Sequence, residues 1–151
     1  MVTHWNFTDY VAPDGTNYVR EWAKEALGGE EAFLDNLLLF LGQIPESKKW
    51  SGRCNPLEGE QYKKRKLYEL RFTAEDKEFR VFGFFAPGYT FVMVAGCYHK
   101  DKVYKPKGAF TSACDRCDTY NAGIGTIVPH TSNLDDETEE GDEQIYENIK
   151  F

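Results

Sequence analysis

Hydrophobic and polar positions along this chain change period several times, and each change marks an element. "WNFTDYVAP", residues 5–13, reads as a first strand running into a Pro-Asp-Gly turn. "TNYVREWAKEAL", residues 16–27, switches to helical spacing, with Thr16 or Asn17 as N-cap and Gly28-Gly29 as the stop. "EEAFLDNLLLFLGQI", residues 30–44, predicts a second helix. Phe33, Leu37, Phe40 and Leu41 recur at its spacing, acids fill its first turn, and Gly42 lies near its end. Residues 45–66 look like a basic loop. Three strands follow in "KLYELRF", "KEFRVFGFF" and "YTFVMVAGCYH", joined by the short connections Ala74 to Lys77 and Ala86-Pro87-Gly88, which predicts an antiparallel meander. "GAFTSACDRCDTY" predicts a last helix that stops near Gly123.

The expected fold class is therefore α+β. A small antiparallel sheet, the three-stranded meander plus the N-terminal strand, packs on two N-terminal helices, with a short C-terminal helix. A domain over residues 1–123 is followed by a tail over 124–151, acidic from Leu134 in "LDDETEEGDEQIYENIKF" and expected to be solvated.

Charge changes this picture. The whole chain of 151 residues carries net −7. Residues 1–47 hold 2 basic and 8 acidic side chains, residues 48–107 hold 14 basic and 7 acidic, and residues 108–151 hold 2 basic and 10 acidic. A basic middle segment points to an anionic partner, nucleic acid first; the alternative is that the acidic ends neutralise it. No run of about 18 apolar residues exists, and "MVTHWNFTDYVAPDG" has no basic region followed by an apolar stretch. A cytoplasmic location is the expectation. Cys54, Cys97, Cys114 and Cys117 are unevenly spaced and are expected as free thiols.

Strand alternation decides which side chains meet. A first hairpin centred between Glu75 and Asp76 sets Arg71 opposite Arg80. A second centred between Pro87 and Gly88 sets Arg80 opposite Ala95, and steps of two bring Cys97 and His99 to the same face. Arg71, Arg80 and His99 then share one side of the sheet with Glu69. Tyr68, Leu70, Phe72, Phe79, Val81, Phe85, Val92 and Val94 form the core beneath the helices. Facing arginines repel. An anion gripped by both would offset that, and so would pairing with Glu69 and another carboxylate. His99 adds a proton acceptor near neutrality, with Arg80, Lys100 and Lys102 favouring its neutral form. A neutral base beside guanidinium groups suits attack of a ribose 2′-hydroxyl on a phosphodiester, with no cofactor.

The order "YELRF", "FRVFGFF", an apolar strand ending "CYHKDKVYKP" and a helix with "ACDRCDTY" resembles the RelE/HigB-like toxins of type II toxin–antitoxin systems, the phage-derived HigB-like group above all. The resemblance spans about residues 5–121. It implies a RelE-like fold and a ribosome-dependent mRNA endonuclease, encoded by a bacterium, phage or prophage. Its implied partners are mRNA on the ribosome and a cognate antitoxin of the helix-turn-helix kind. Arg71 and Arg80 fall at the arginines of the family's E-L-R and Y-R-V motifs, implicated in phosphate binding and transition-state stabilisation, and Lys100 falls at the first lysine of its K-K pair. Asp101 stands at the usual second lysine, and Phe79 replaces the tyrosine before Arg80. Lys63, Lys64, Lys66 and Lys102 would hold the phosphate backbone, and Tyr98 or Tyr104 would stack on a base. Two other readings stay open. Cys97, His99, Cys114 and Cys117 have a spacing that could ligate zinc. A non-catalytic phage or prophage protein could use the same fold to bind a protein partner, with the acidic tail as the binding element.

Overall fold

A computed structural model describes residues 3–28, 31–100 and 103–130. The elements are β1 (Asn6–Val11), α1 (Tyr18–Leu27), α2 (Ala32–Gly42), β2 (Cys54–Pro56), the helical turn α3 (Glu60–Lys63), β3 (Tyr68–Ala74), β4 (Lys77–Ala86), β5 (Thr90–Lys100), β6 (Val103–Lys105), α4 (Ala109–Asn121) and β7 (Thr126–Pro129). The chain is α+β. Its sheet is larger than expected and mixed, in the order β2-β3-β4-β5-β1-β7, with β6 beside the far end of β5. β1 runs parallel to β5, from Asn6↔Thr90 to Asp9↔Met93, where an antiparallel sheet was expected. β7 pairs antiparallel with β1. Thr126–Pro129, within the segment expected as a tail, thus form a strand of this sheet. Residues 131–151, the remainder of that expected tail, lie outside the described residues.

Local chemistry explains the helices. The Asn17 side chain accepts from Arg20 N–H at 2.9 Å, satisfying one of α1's unpaired donors, and Gly28 ends the helix at φ 58°. In α2 the buried stripe is Leu34, Leu37, Leu38 and Leu41, while Phe33 of the expected stripe is exposed. The stretch read as a basic loop contains β2 and α3.

Two cores lie on opposite faces of the sheet. Beneath α1 and α2, Val19, Leu34 and Leu41 pack on Leu70, Val81, Phe91 and Met93. Beneath α4, Ala113 and Cys117 pack with Phe82, Phe84, Val92 and Val94. Val92 and Val94 were expected in the first core. Ala86 pairs with Thr90, one residue beyond the expected partner, and that shift sends them to the second; a bulge between Phe82 and Gly83 then restores the expected alternation beyond it. Gly83 permits the close approach there, because a Cβ would stand 2.3 Å from the Val92 carbonyl oxygen.

The β3–β4 hairpin has its expected register, Arg71↔Arg80 included. Its turn residues Glu75 and Asp76 both take positive φ, 48° and 67°, the conformation of a type I′ turn that favours Asn-Gly. Replacing them together, Glu75→Asn with Asp76→Gly, is expected to raise stability by about 1 kcal/mol through relief of left-handed strain. Urea unfolding checks this as a higher midpoint with an unchanged slope.

Candidate functional site

The second hairpin brings His99 to the arginines by two departures from the expected register. Ala86 pairs with Thr90, so the loop is one residue longer than expected, and the bulge adds one more. Both shifts run the same way. Arg80 thus faces Cys97 instead of Ala95, yet alternation still leaves Arg71, Arg80 and His99 on one face.

Glu78, which the sequence reading did not single out, joins these side chains. It sits two residues before Arg80 on the same face of β4, directly opposite His99. Its Oε1 accepts from Arg71 Nη2 at 2.9 Å, and its Oε2 lies 2.7 Å from His99 Nε2 and 4.0 Å from Arg80 Nη2. Glu69 closes the network from β3, accepting from Arg80 Nη1 at 3.0 Å and lying 3.5 Å from Arg71 Nε. The hydrogen bond from Arg71 holds the Glu78 carboxyl below its usual range, helped by the charges of Arg71, His99 and Arg80 and opposed by partial burial. Glu78 is therefore a carboxylate at neutral pH. Two carboxylates meet two guanidinium groups, which relieves the repulsion between the facing arginines.

A cleft of ≈ 820 Å³ borders the network, lined by Arg71, Arg80, Glu69 and, from the β2–α3 side, Asn55, Glu58 and Lys63. Arg65, just beyond α3, bonds both oxygens of Asp118 on α4, at 2.8 and 2.9 Å, and donates to the Gln61 carbonyl oxygen at 2.6 Å, which ties α3 to that helix. Tyr104 on β6 stands opposite His99, with ring centroids 4.9 Å apart, and Arg80 Cζ lies 5.5 Å from the Tyr104 ring.

Other expected residues go elsewhere. Tyr98 pairs with Phe79 and packs against the core under α1, so it lies on the opposite face and does not stack on a base beside Arg80. Lys64 and Lys66 line a separate depression with Phe84 and Asp118. Lys100 ends β5 opposite Val103; its side chain, Lys102 and Asp101 lie outside the described residues.

The cysteines are free thiols. Cys97, next to Arg80 across the strands, is buried, and burial pushes its thiol up to about 12, so it offers no thiolate at neutral pH. Among the described residues no group of three or more His, Cys, Asp or Glu side chains is placed to hold a metal. No described helix is long and apolar enough to cross a membrane.

A second polar cluster escaped the sequence reading. His130, just beyond β7, sets Nδ1 2.9 Å from both oxygens of Asp9 and Nε2 3.7 Å from Asp35 Oδ1. Asn17 donates to Asp9 Oδ2 at 3.0 Å. Burial alone would make this imidazole neutral; the nearby Asp35 and Asp9 carboxylates, Asp9 hydrogen-bonded to it, outweigh that and carry the pKa up to about 9. Asp9 inside an apolar strand was the available sequence signal, because a charge there needs a partner. Compared with protein-family models, with curated proteins and with solved structures, the chain matches none.

Proposed function

We propose that this chain is a RelE/HigB-like toxin that cleaves mRNA on the ribosome, with Arg71, Arg80, His99 and Glu78 as the working group. The observation that carries the proposal is the position of Glu78, bonded to Arg71 and 2.7 Å from His99, beside a cleft that Arg80 also lines. A carboxylate that fixes an imidazole next to guanidinium groups has the parts for phosphodiester transesterification. His99 takes the 2′-hydroxyl proton. The 2′-oxygen bonds the adjacent phosphorus, the bond to the 5′-oxygen breaks, and that oxygen collects a proton from the imidazolium or from water. Arg71 and Arg80 turn donors from Glu69 and Glu78 towards the phosphoryl oxygens as charge builds there. Lys63 and Lys100 are assigned to the flanking phosphates, Tyr104 to a base, and a helix-turn-helix antitoxin to covering the face.

A second reading, a non-catalytic protein that binds a protein partner, has one observation in its favour. Glu69 and Glu78 already balance both arginines, which is how a structural ion cluster looks. One experiment separates the two readings. Primer extension on a translated reporter mRNA, after brief induction, is expected to show new ends with the wild type and a loss of about 10²-fold or more in their rate with His99→Gln. Intact mRNA and unimpaired growth with the wild type would transfer the assignment to the binding reading.

A further inference from the structure

Arg116 of α4 is half-buried, yet it has no carboxylate within salt-bridge distance among the described residues. Its Nη1 donates to the Val94 carbonyl oxygen at 2.8 Å, and its Cζ lies 3.7 Å from the centroid of the Tyr18 ring on α1. Buried charges are ordinarily paired, so this guanidinium keeps donors for something else. It lines a cavity of ≈ 620 Å³ between α1, α4 and the edge of β5, at the gap left between β1 and β6. The size suits a small organic ligand.

Further cations share the cavity. Lys77 Nζ lies 4.9 Å from the Tyr98 ring, and Lys105 stands at the base of α4; neither forms an ion pair among the described residues. Rings line it too. Trp22 is seated on the β5 backbone at Gly96, where a Cβ would stand 2.2 Å from the indole. Phe79 lies between Trp22 and Tyr98, with centroids 6.3 and 5.5 Å away. Helical spacing on α1 also presents Glu21 and Glu25 to the cavity, acceptors without a described cation.

We propose that this cavity binds a nucleoside monophosphate bearing an exocyclic amine. The phosphate lies against Arg116 and Lys105, the base against the rings of Trp22 and Tyr98, and the amine donates to Glu21 or Glu25. Stacking plus a cationic end gives affinity for a planar anion, and the two acids select an amine-bearing base. The cavity opens at the β5 edge between α1 and α4 and shares no lining residue with the cleft beside Arg71 and Arg80, so this inference does not depend on RNA cleavage.

Calorimetric titration of the full chain with AMP, UMP, adenosine and inorganic phosphate tests it. AMP is expected to bind in the micromolar to submillimolar range, and the other three at least about tenfold more weakly. Arg116→Gln and Lys105→Ala, the latter on an exposed side chain whose loss leaves the fold intact, should each weaken AMP severalfold, while Arg80→Ala leaves it unchanged. No saturable AMP binding below about 10 mM overturns the inference. So does UMP or adenosine binding as tightly as AMP, or AMP affinity lost in Arg80→Ala and kept in Arg116→Gln, which would place the nucleotide in the cleft beside Arg71 and Arg80.

Discussion

Replacing His130 with alanine is expected to cost about 3–5 kcal/mol of folding stability, because it removes the one described cation from two buried carboxylates. Asp9 and Asp35 both lie in the interior, with side-chain exposures of 1% and 6%. Asn17 would still donate to Asp9 but cannot neutralise it. The wild type carries a pH signature of the same contact. The imidazole pKa rises from 6.5 to about 9 on folding. Its stabilisation is therefore complete below about pH 6.5 and is lost as pH climbs through about 9. At about 1.4 kcal/mol per unit the decline amounts to about 3 kcal/mol. Urea unfolding from pH 6 to 10 checks both statements. His130→Ala should start lower and lack the decline over that window; a variant as stable as the wild type at pH 6 would remove the triad from the account of the fold.

Arg80→Ala is expected to lower mRNA cleavage by about 10²–10³-fold, the usual cost of losing a cation aimed at transition-state charge. The same substitution strands Glu69, whose side chain is 7% exposed and would keep only the 3.5 Å approach of Arg71 Nε. A stability loss of roughly 1–3 kcal/mol accompanies that. Arg80→Lys separates the two effects, since lysine keeps the positive charge beside Glu69 without the forked donors. Thermal unfolding of each variant, with cleavage read well below its midpoint, keeps misfolding out of the comparison. Alanine and lysine variants that are folded and cleave like the wild type would remove Arg80 from the chemistry.

Interactions between near neighbours along the chain were legible before folding. Asn17 and Gly28 cap α1 because their chemistry acts within one turn. The Glu75-Asp76 turn fixes Arg71 against Arg80 because a two-residue turn leaves one register. His99 reached the arginine face through parity alone, since two shifts of one residue restore alternation. Glu78 was within reach of the same logic, two residues from Arg80 and opposite His99.

Contacts between distant parts of the chain set the other features. The extra residue in the β4–β5 loop sent Val92 and Val94 to the second core, and the bulge at Gly83 that undoes this shift further along depends on how closely β5 can approach. β1 found β5 as a parallel partner 84 positions along the chain, and β7 closed on β1 from more than a hundred positions away. Such pairings follow from burial of whole faces, a sum over distant residues that no local period records. The charge of Asp9 is tolerated in the sheet for the same reason: its counter-ion His130 is 121 positions away and is brought to it only by folding.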